Sequence, residues 1–190
     1  MEVYATWHDN NYVITLDPVG GTGLVDTEIE VPQGDTADLP FNVTKDGYAF
    51  VGWSDGNTTL VPQDGHCYYT PTGNITLTAV WQRVGDLTLT ETFTGRNNAW
   101  GTPSFIYEVT GTADVSGEAF HQIVKLEVGA SNTVSYTFED LPNGSYQICR
   151  ITNCRYKPNE FDKSVTFTGE SMTVSYSSSA HVLSLFSDMK

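Results

Sequence analysis

Two opposite charges sit where a β-strand would turn them inward. In Leu87-Thr88-Leu89-Thr90-Glu91-Thr92-Phe93, alternation places Glu91 on the face of Leu87, Leu89 and Phe93. The same count places Lys163 with Phe161, Val165 and Phe167. Either charge buried alone would be costly, so a buried Glu91–Lys163 ion pair is the natural remedy. The plainer alternative puts one of them at a strand end or bulge, where it reaches water. Thiols come next. Cys149-Arg150-Ile151-Thr152-Asn153-Cys154 spans what reads as a tight turn, so Cys149 and Cys154 are candidates for a disulfide. An oxidising exterior would favour the bond, and a reducing niche free thiols. Cys67 follows His66, but neighbours on a strand point to opposite faces, which argues against a Cys–His nucleophile pair. His66 and His121 show no metal-ligand spacing. The sequence has no G-x-S-x-G, H-E-x-x-H, phosphate-loop or dinucleotide glycine pattern, and no D-x-D-x-D-G calcium loop. No catalytic, metal or cofactor site is therefore expected.

Aromatic residues offer a different chemistry. Trp100 lies in the polar stretch Arg96-Asn97-Asn98-Ala99-Trp100-Gly101, either exposed for ligand contact or folded under as a plug. Tyr48, Phe50, Trp53 and Trp81 read either as a sugar-stacking platform or as the core of a small module. The core reading is favoured, because strand aromatics carry the packing in small modules.

The elements that must position these residues are strands. The chain has 190 residues, enough for one large or two small domains. Apolar residues make up 39%, which suits a globular β protein rather than a disordered one. Charge is lopsided, with 23 acidic against 9 basic residues and a net of −14. That balance argues against binding nucleic acid or anionic lipid. No stretch reaches the roughly 18 apolar residues of a membrane span. The sequence shows no signal peptide and no C-terminal anchor motif, an absence that means little if the chain is a fragment, as the N-terminal strand Glu2–Trp7 suggests.

In the first half, Tyr12–Leu16 reads as a strand that turns at Asp17-Pro18 and Gly20-Gly21. Thr27–Val31 alternates with Ile29 and Val31 inward. Ala37–Phe41 is expected to hold one short helical turn. The central stretch is Asp46-Gly47-Tyr48-Ala49-Phe50-Val51-Gly52-Trp53, and Ile75–Trp81 closes the module on a tryptophan. Glu2–Trp7 echoes that closing strand. In the second half, strands are expected at Leu87–Phe93, Phe105–Val109, His121–Val128, Thr133–Phe138, Ser145–Thr152, Phe161–Phe167, Met172–Tyr176 and Val182–Phe186. Turn residues punctuate them at the spacing of an all-β sandwich.

The ordered motifs of the first half resemble the Listeria–Bacteroides repeat, also called the internalin B-repeat, over about Asn11–Trp81. That resemblance implies a small β-rich, grasp-like module strung along a bacterial surface protein. Thr133–Tyr146, with its Phe138…Leu141-Pro142-Asn143-Gly144-Ser145-Tyr146 phrase, resembles Cna protein B-type domains, and Leu87–Phe93 resembles their opening strand. This implies a transthyretin- or immunoglobulin-like sandwich of the kind found in stalks and pili. Many such domains carry a Lys–Asn isopeptide bond between first and last strands. Here the first strand has Glu91 and no Lys, and Ser171–Met189 has no Asn, so the crosslink is not expected.

The expected organisation is a remnant of a preceding repeat at 1–10, a repeat module at 11–82, a linker at 83–86 and a sandwich at 87–190. The expected role is a non-catalytic stalk, spacer or adhesion module, extracellular, at a bacterial cell surface or wall. Its expected neighbours are other repeats of the same chain. The alternative is a ligand-binding sandwich that recognises a host glycan or host surface protein.

Overall fold

Thr, Val, Tyr and Ile dominate the periodic stretches, and these β-branched and aromatic residues fit a pleated, half-buried surface. The computed structural model describes residues 10–95, 102–151, 156–160 and 162–180, and among them strands are the only regular elements. The chain divides into two units, 1–82 and 83–190.

The first unit contains β1 (Asn11–Asp17), β2 (Glu28–Pro32), β3 (Ala37–Asp38), β4 (Tyr48–Ser54), β5 (Thr59–Leu60), β6 (Tyr68–Tyr69) and the first part of β7 (Ile75–Thr94). β1 pairs antiparallel with β2, Ile14 opposite Ile29, and parallel with β7, Leu16 opposite Leu77. β4 joins β7 and carries β5. The core gathers Ile14, Leu16, Val31, Leu39, Trp53 and Leu77. On β2 only alternate side chains turn in, so Glu28 and Glu30 stay in water and charge the outer strand. The helical turn expected at 37–41 does not form. Ala37 and Asp38 instead pair with Tyr69 and Tyr68, and the Leu39 N–H donates to the Cys67 carbonyl at 2.7 Å. Those backbone groups are satisfied across the ribbon rather than along a helix.

The second unit is an all-β sandwich. It adds β8 (Ser104–Ala113), β9 (Ala119–Glu127), β10 (Thr133–Pro142), β11 (Gly144–Ile151), β12 (Tyr156–Pro158), β13 (Lys163–Phe167) and β14 (Met172–Ala180) to the second part of β7. One sheet runs β12-β14-β7-β10, with β14 parallel and β10 antiparallel to β7. The other runs β13-β11-β8-β9. Leu87, Leu89 and Phe93 of the first sheet meet Tyr107, Ile148 and Phe167 of the second in one core. On the outer face of β7, Thr88, Thr90 and Thr92 share hydroxyl hydrogen bonds with Thr137, Ser135 and Thr133 at 3.0, 2.9 and 3.2 Å. Such pairs each add about 0.2–1 kcal/mol.

Residues 83–86, expected as a linker, lie inside β7, where Val84 and Gly85 pair with Pro142 and Leu141. Gly85 is required there, because a Cβ would strike the Gly169 carbonyl oxygen at 2.5 Å. The turn after β10 is held by its own products. Tyr146 donates its hydroxyl to the Pro142 carbonyl at 2.7 Å, and Asn143 donates its side-chain amide to Asp114 at 3.1 Å. The expected strand at 182–186 and the remnant strand at 2–7 lie outside the described residues.

Candidate functional site

The charge that the sequence turned inward is the centre of the second unit. Glu91 is fully buried, since its neighbours Leu89 and Phe93 on the same face are core residues. Its partner is Arg150, not Lys163. The Arg150 side chain is 3% exposed and its Nη1 faces Glu91 Oε2 at 3.6 Å, an ion pair without a hydrogen bond. Hydroxyls complete the carboxylate's shell. Tyr107 donates to Oε2 and Ser178 donates to Oε1. Ser178 also accepts from Arg150 Nη2 at 2.5 Å. Three strands drawn from both sheets thus meet on one carboxylate: β8 through Tyr107 and β11 through Arg150 from one sheet, and β14 through Ser178 from the other.

Lys163 is placed differently for a physical reason. It opens β13, and its side chain is one-third exposed. There it bonds Glu160 at 2.6 Å, donates to the Ser175 carbonyl at 2.5 Å, and lies 4.6 Å from the Tyr176 ring centroid. An ammonium is strongly hydrated and stays where water reaches it. The flat, weakly hydrated guanidinium of Arg150 enters the core instead, 4.9 Å above the Phe105 ring.

This surrounding is dry enough to hold phenols neutral. Burial, then the hydrogen bond to Glu91, pushes the Tyr107 hydroxyl far above its ordinary range. Burial, then the Asp162 charge, does the same to Tyr176, whose hydroxyl donates to the Ile148 carbonyl at 3.1 Å. The cluster locks a carboxylate and a guanidinium away from solvent. Its geometry suits holding two sheets together.

The thiols are quiet. Cys149 is a free thiol pushed up by burial, then by the Asp162 charge, and Cys154 lies outside the described residues. Cys67 is a buried free thiol, raised by burial and by the Asp38 charge. A thiolate is the reactive form, so both shifts oppose nucleophilic chemistry. His66 does not reach Cys67 through its ring. Its Nδ1 bonds Asp38 at 2.6 Å, and it stacks on Tyr68 with centroids 5.0 Å apart. Among the described residues no group of His, Cys, Asp and Glu is arranged to hold a metal ion. Trp100 lies outside the described residues.

Of Tyr48, Phe50, Trp53 and Trp81 in the first unit, the last three pack in or against its core. Trp53 is fully buried and donates its indole N–H to the Pro40 carbonyl at 2.7 Å. Phe50 stands edge-on between Trp53 and Trp81, at 5.4 and 5.5 Å. Tyr48 alone of the four is open to solvent, under Lys45 at 4.6 Å.

Arg150, Tyr107 and Ser178 were not singled out from the sequence. For Arg150 a signal existed: it shares the parity of Tyr146 and Ile148, so it had to face inward. Ser178 likewise shares the parity of Val174 and Tyr176, but its approach to Glu91 depends on the parallel register of β14 on β7, which parity does not disclose.

Comparison with known proteins adds the following. A pilus-presented adhesin aligns at 16% identity and TM-score 0.35, covering 62% of this chain and 32% of that one. The minor pilin GBS52 of Streptococcus agalactiae aligns at 14% identity and TM-score 0.35, covering 75% and 63%. A streptococcal ancillary pilin aligns at 11% and 0.36, covering 84% and 50%. The chain thus spans about a third of the length of that adhesin. No curated protein matches. Residues 12–80 match the family model of the Listeria–Bacteroides repeat domain, the family that the motifs of the first unit resemble.

Proposed function

We propose that this chain is a non-catalytic spacer segment of a modular bacterial cell-surface protein. The observation that carries the reading is the repeat match over residues 12–80, followed directly by a second all-β unit. Units of this kind joined in series make a long support, and a net charge of −14 keeps neighbouring copies apart in solution. The second unit suits the role through its centre. A sandwich whose sheets are tied by Glu91, Arg150, Tyr107 and Ser178 resists separation of strands from different sheets. The Cna B-type likeness of Asp86–Ser177 belongs to the same proposal, as do neighbouring repeats as the chain's partners.

The test is whether the segment faces outward on intact cells. Antibodies raised against the 190-residue chain should label unpermeabilised cells of the source bacterium, and external protease should remove the label. Labelling that needs lysis would overturn the proposal.

A further inference from the structure

At one flank of the sandwich, edge strand β9 faces edge strand β10 across a cleft of about 440 Å³. Inward positions on such a seam are normally closed by aliphatic side chains. Lower down they are, with Val124 and Leu126 buried. At the mouth they are not. Gln122 of β9 and Tyr136 of β10 occupy inward positions, and Tyr136 remains 36% exposed.

The mouth is built from three kinds of group. The first is an aromatic wall. Tyr136 stands edge-on to Phe138 at 5.0 Å and 71°, and Phe120 edge-on to Phe138 at 5.9 Å and 81°. Each ring fixes the next, so the wall is set before anything binds. The second is a fixed amide. Gln122 Nε2 donates to the Tyr136 hydroxyl at 3.0 Å. That bond leaves Gln122 Oε1 and the Tyr136 O–H aimed at no other group among the described residues. The third is a carboxylate. A β-bulge lies between Phe138 and Leu141, with Asp140 at φ +50°, and Glu139 lines the cleft beside it. Bulges re-aim side chains in this way at binding sites.

We propose that this cleft binds one neutral pyranose unit of a glycan. A pyranose has an apolar C–H face and a rim of hydroxyls. The face suits the open side of an aromatic ring, and the hydroxyls suit an amide oxygen and a carboxylate that accept and a phenol that donates. Charge narrows the choice. Glu139 lines the cleft of a chain that already carries −14, so acidic sugars are repelled. The site does not depend on the spacer reading, because a spacer and a binding module both present this flank to solvent.

The experiment is saturation-transfer NMR on the full chain. The probes are the methyl β-glycosides of glucose, galactose and N-acetylglucosamine, with the methyl glycoside of N-acetylneuraminic acid as the anionic comparator. Transfer to the ring protons of at least one neutral glycoside is expected, with none to the anionic one. Gln122→Ala and Tyr136→Ala should each weaken binding about tenfold, the effect of losing one good polar or stacking contact. Tyr136→Phe keeps the wall and removes only the hydroxyl, so it reports on recognition if the alanine variant misfolds. It should bind more weakly than the parent with an unchanged thermal midpoint in differential scanning. Absence of transfer from every neutral glycoside overturns the proposal. So does equal transfer to the anionic sugar, binding unaffected by Gln122→Ala and Tyr136→Phe, or occupancy of the cleft by a tyrosine-containing peptide in place of the glycosides.

Discussion

Trp81 donates its indole N–H to the Pro18 carbonyl at 2.9 Å, joining residues 63 apart in sequence. The same carbonyl accepts the Gly21 N–H at 2.9 Å, so the turn after β1 and the closing strand share one acceptor. Gly21 is needed for this approach, since a Cβ there would collide with the Trp81 ring. This contact explains physically why a Pro/Gly-Gly turn and a distant tryptophan occur together in the motif. Gly21→Ala should destabilise the first unit by about 1–3 kcal/mol, the usual effect of overpacking. Trp81→Phe should cost about 1 kcal/mol for the hydrogen bond plus lost packing. Urea unfolding followed by tryptophan fluorescence reads both. A neutral Gly21→Ala would mean that the turn shifts freely.

Val19 sits in that turn at φ +48°, a left-handed conformation that β-branched residues rarely adopt. It is held there by its neighbours. Its N–H donates to Asp17 at 2.9 Å and its carbonyl accepts from Lys45 Nζ at 3.1 Å. The side chain is largely exposed and contributes little packing. Val19→Asn should therefore stabilise the unit by about 0.5–1 kcal/mol, because asparagine tolerates this region. A shift of the urea midpoint to higher concentration, at unchanged slope, is the expected result.

Arg150 and Glu91 make the opposite case, in which substitution should be severe. Glu91→Leu leaves a buried guanidinium without its counter-ion, and Arg150→Met leaves a buried carboxylate. Each should cost about 3–5 kcal/mol. The double variant Glu91→Leu with Arg150→Met removes both charges and should recover much of that loss. Additive losses in the double variant would show that the two side chains do not act as a pair. The intact protein should also have the mass of its sequence, with no loss of ammonia or water, because Lys163 is engaged by Glu160 and lies apart from Glu91's hydrogen-bonded shell.

How far the sequence disclosed all this depended on the range of the signal. Alternation is local, so the inward turn of Glu91 and the run of strands through the second unit could be read directly. Lys163 also had inward parity, but parity does not say whether a position lies mid-strand or at a rim, and that decided its partner. β3, β5 and β6 have two residues each, too short for any period to register. The shared carboxylate shell depends on which strands are neighbours and in what register, and this is a property of the whole sheet.

The boundary between the units lends itself to dissection. Residues 83–190 contain both sheets of the sandwich and all of its core cluster. We expect this piece to fold alone and give a dispersed amide spectrum. A collapsed spectrum would mean that the sandwich needs the first unit.

Alkali should unfold the sandwich through its phenols. Tyr146 is nearly buried, and burial, then the Asp114 charge, pushes its hydroxyl up from 10.0 to about 12. Tyr107 and Tyr176 are raised as well. The sign follows from proton counts. Below pH 10 the phenol is protonated in both folded and unfolded chains, and the stability is unaffected. Above it the unfolded chain loses the proton and the folded chain keeps it, so stability falls as pH rises from 10 to about 12. The slope is about 1.4 kcal/mol per pH unit for each such residue. Tyr146→Phe tests this with two opposed effects. At neutral pH it loses the bond to Pro142 and should be weaker by about 1 kcal/mol. In alkali it has no phenol to ionise at that position, so its stability should fall less steeply than the parent's. Urea unfolding across the alkaline range, with tyrosinate absorbance recorded in parallel, measures both. Parallel stability curves for the two proteins would show that the Tyr146 hydroxyl titrates as freely in the folded chain as in the unfolded one.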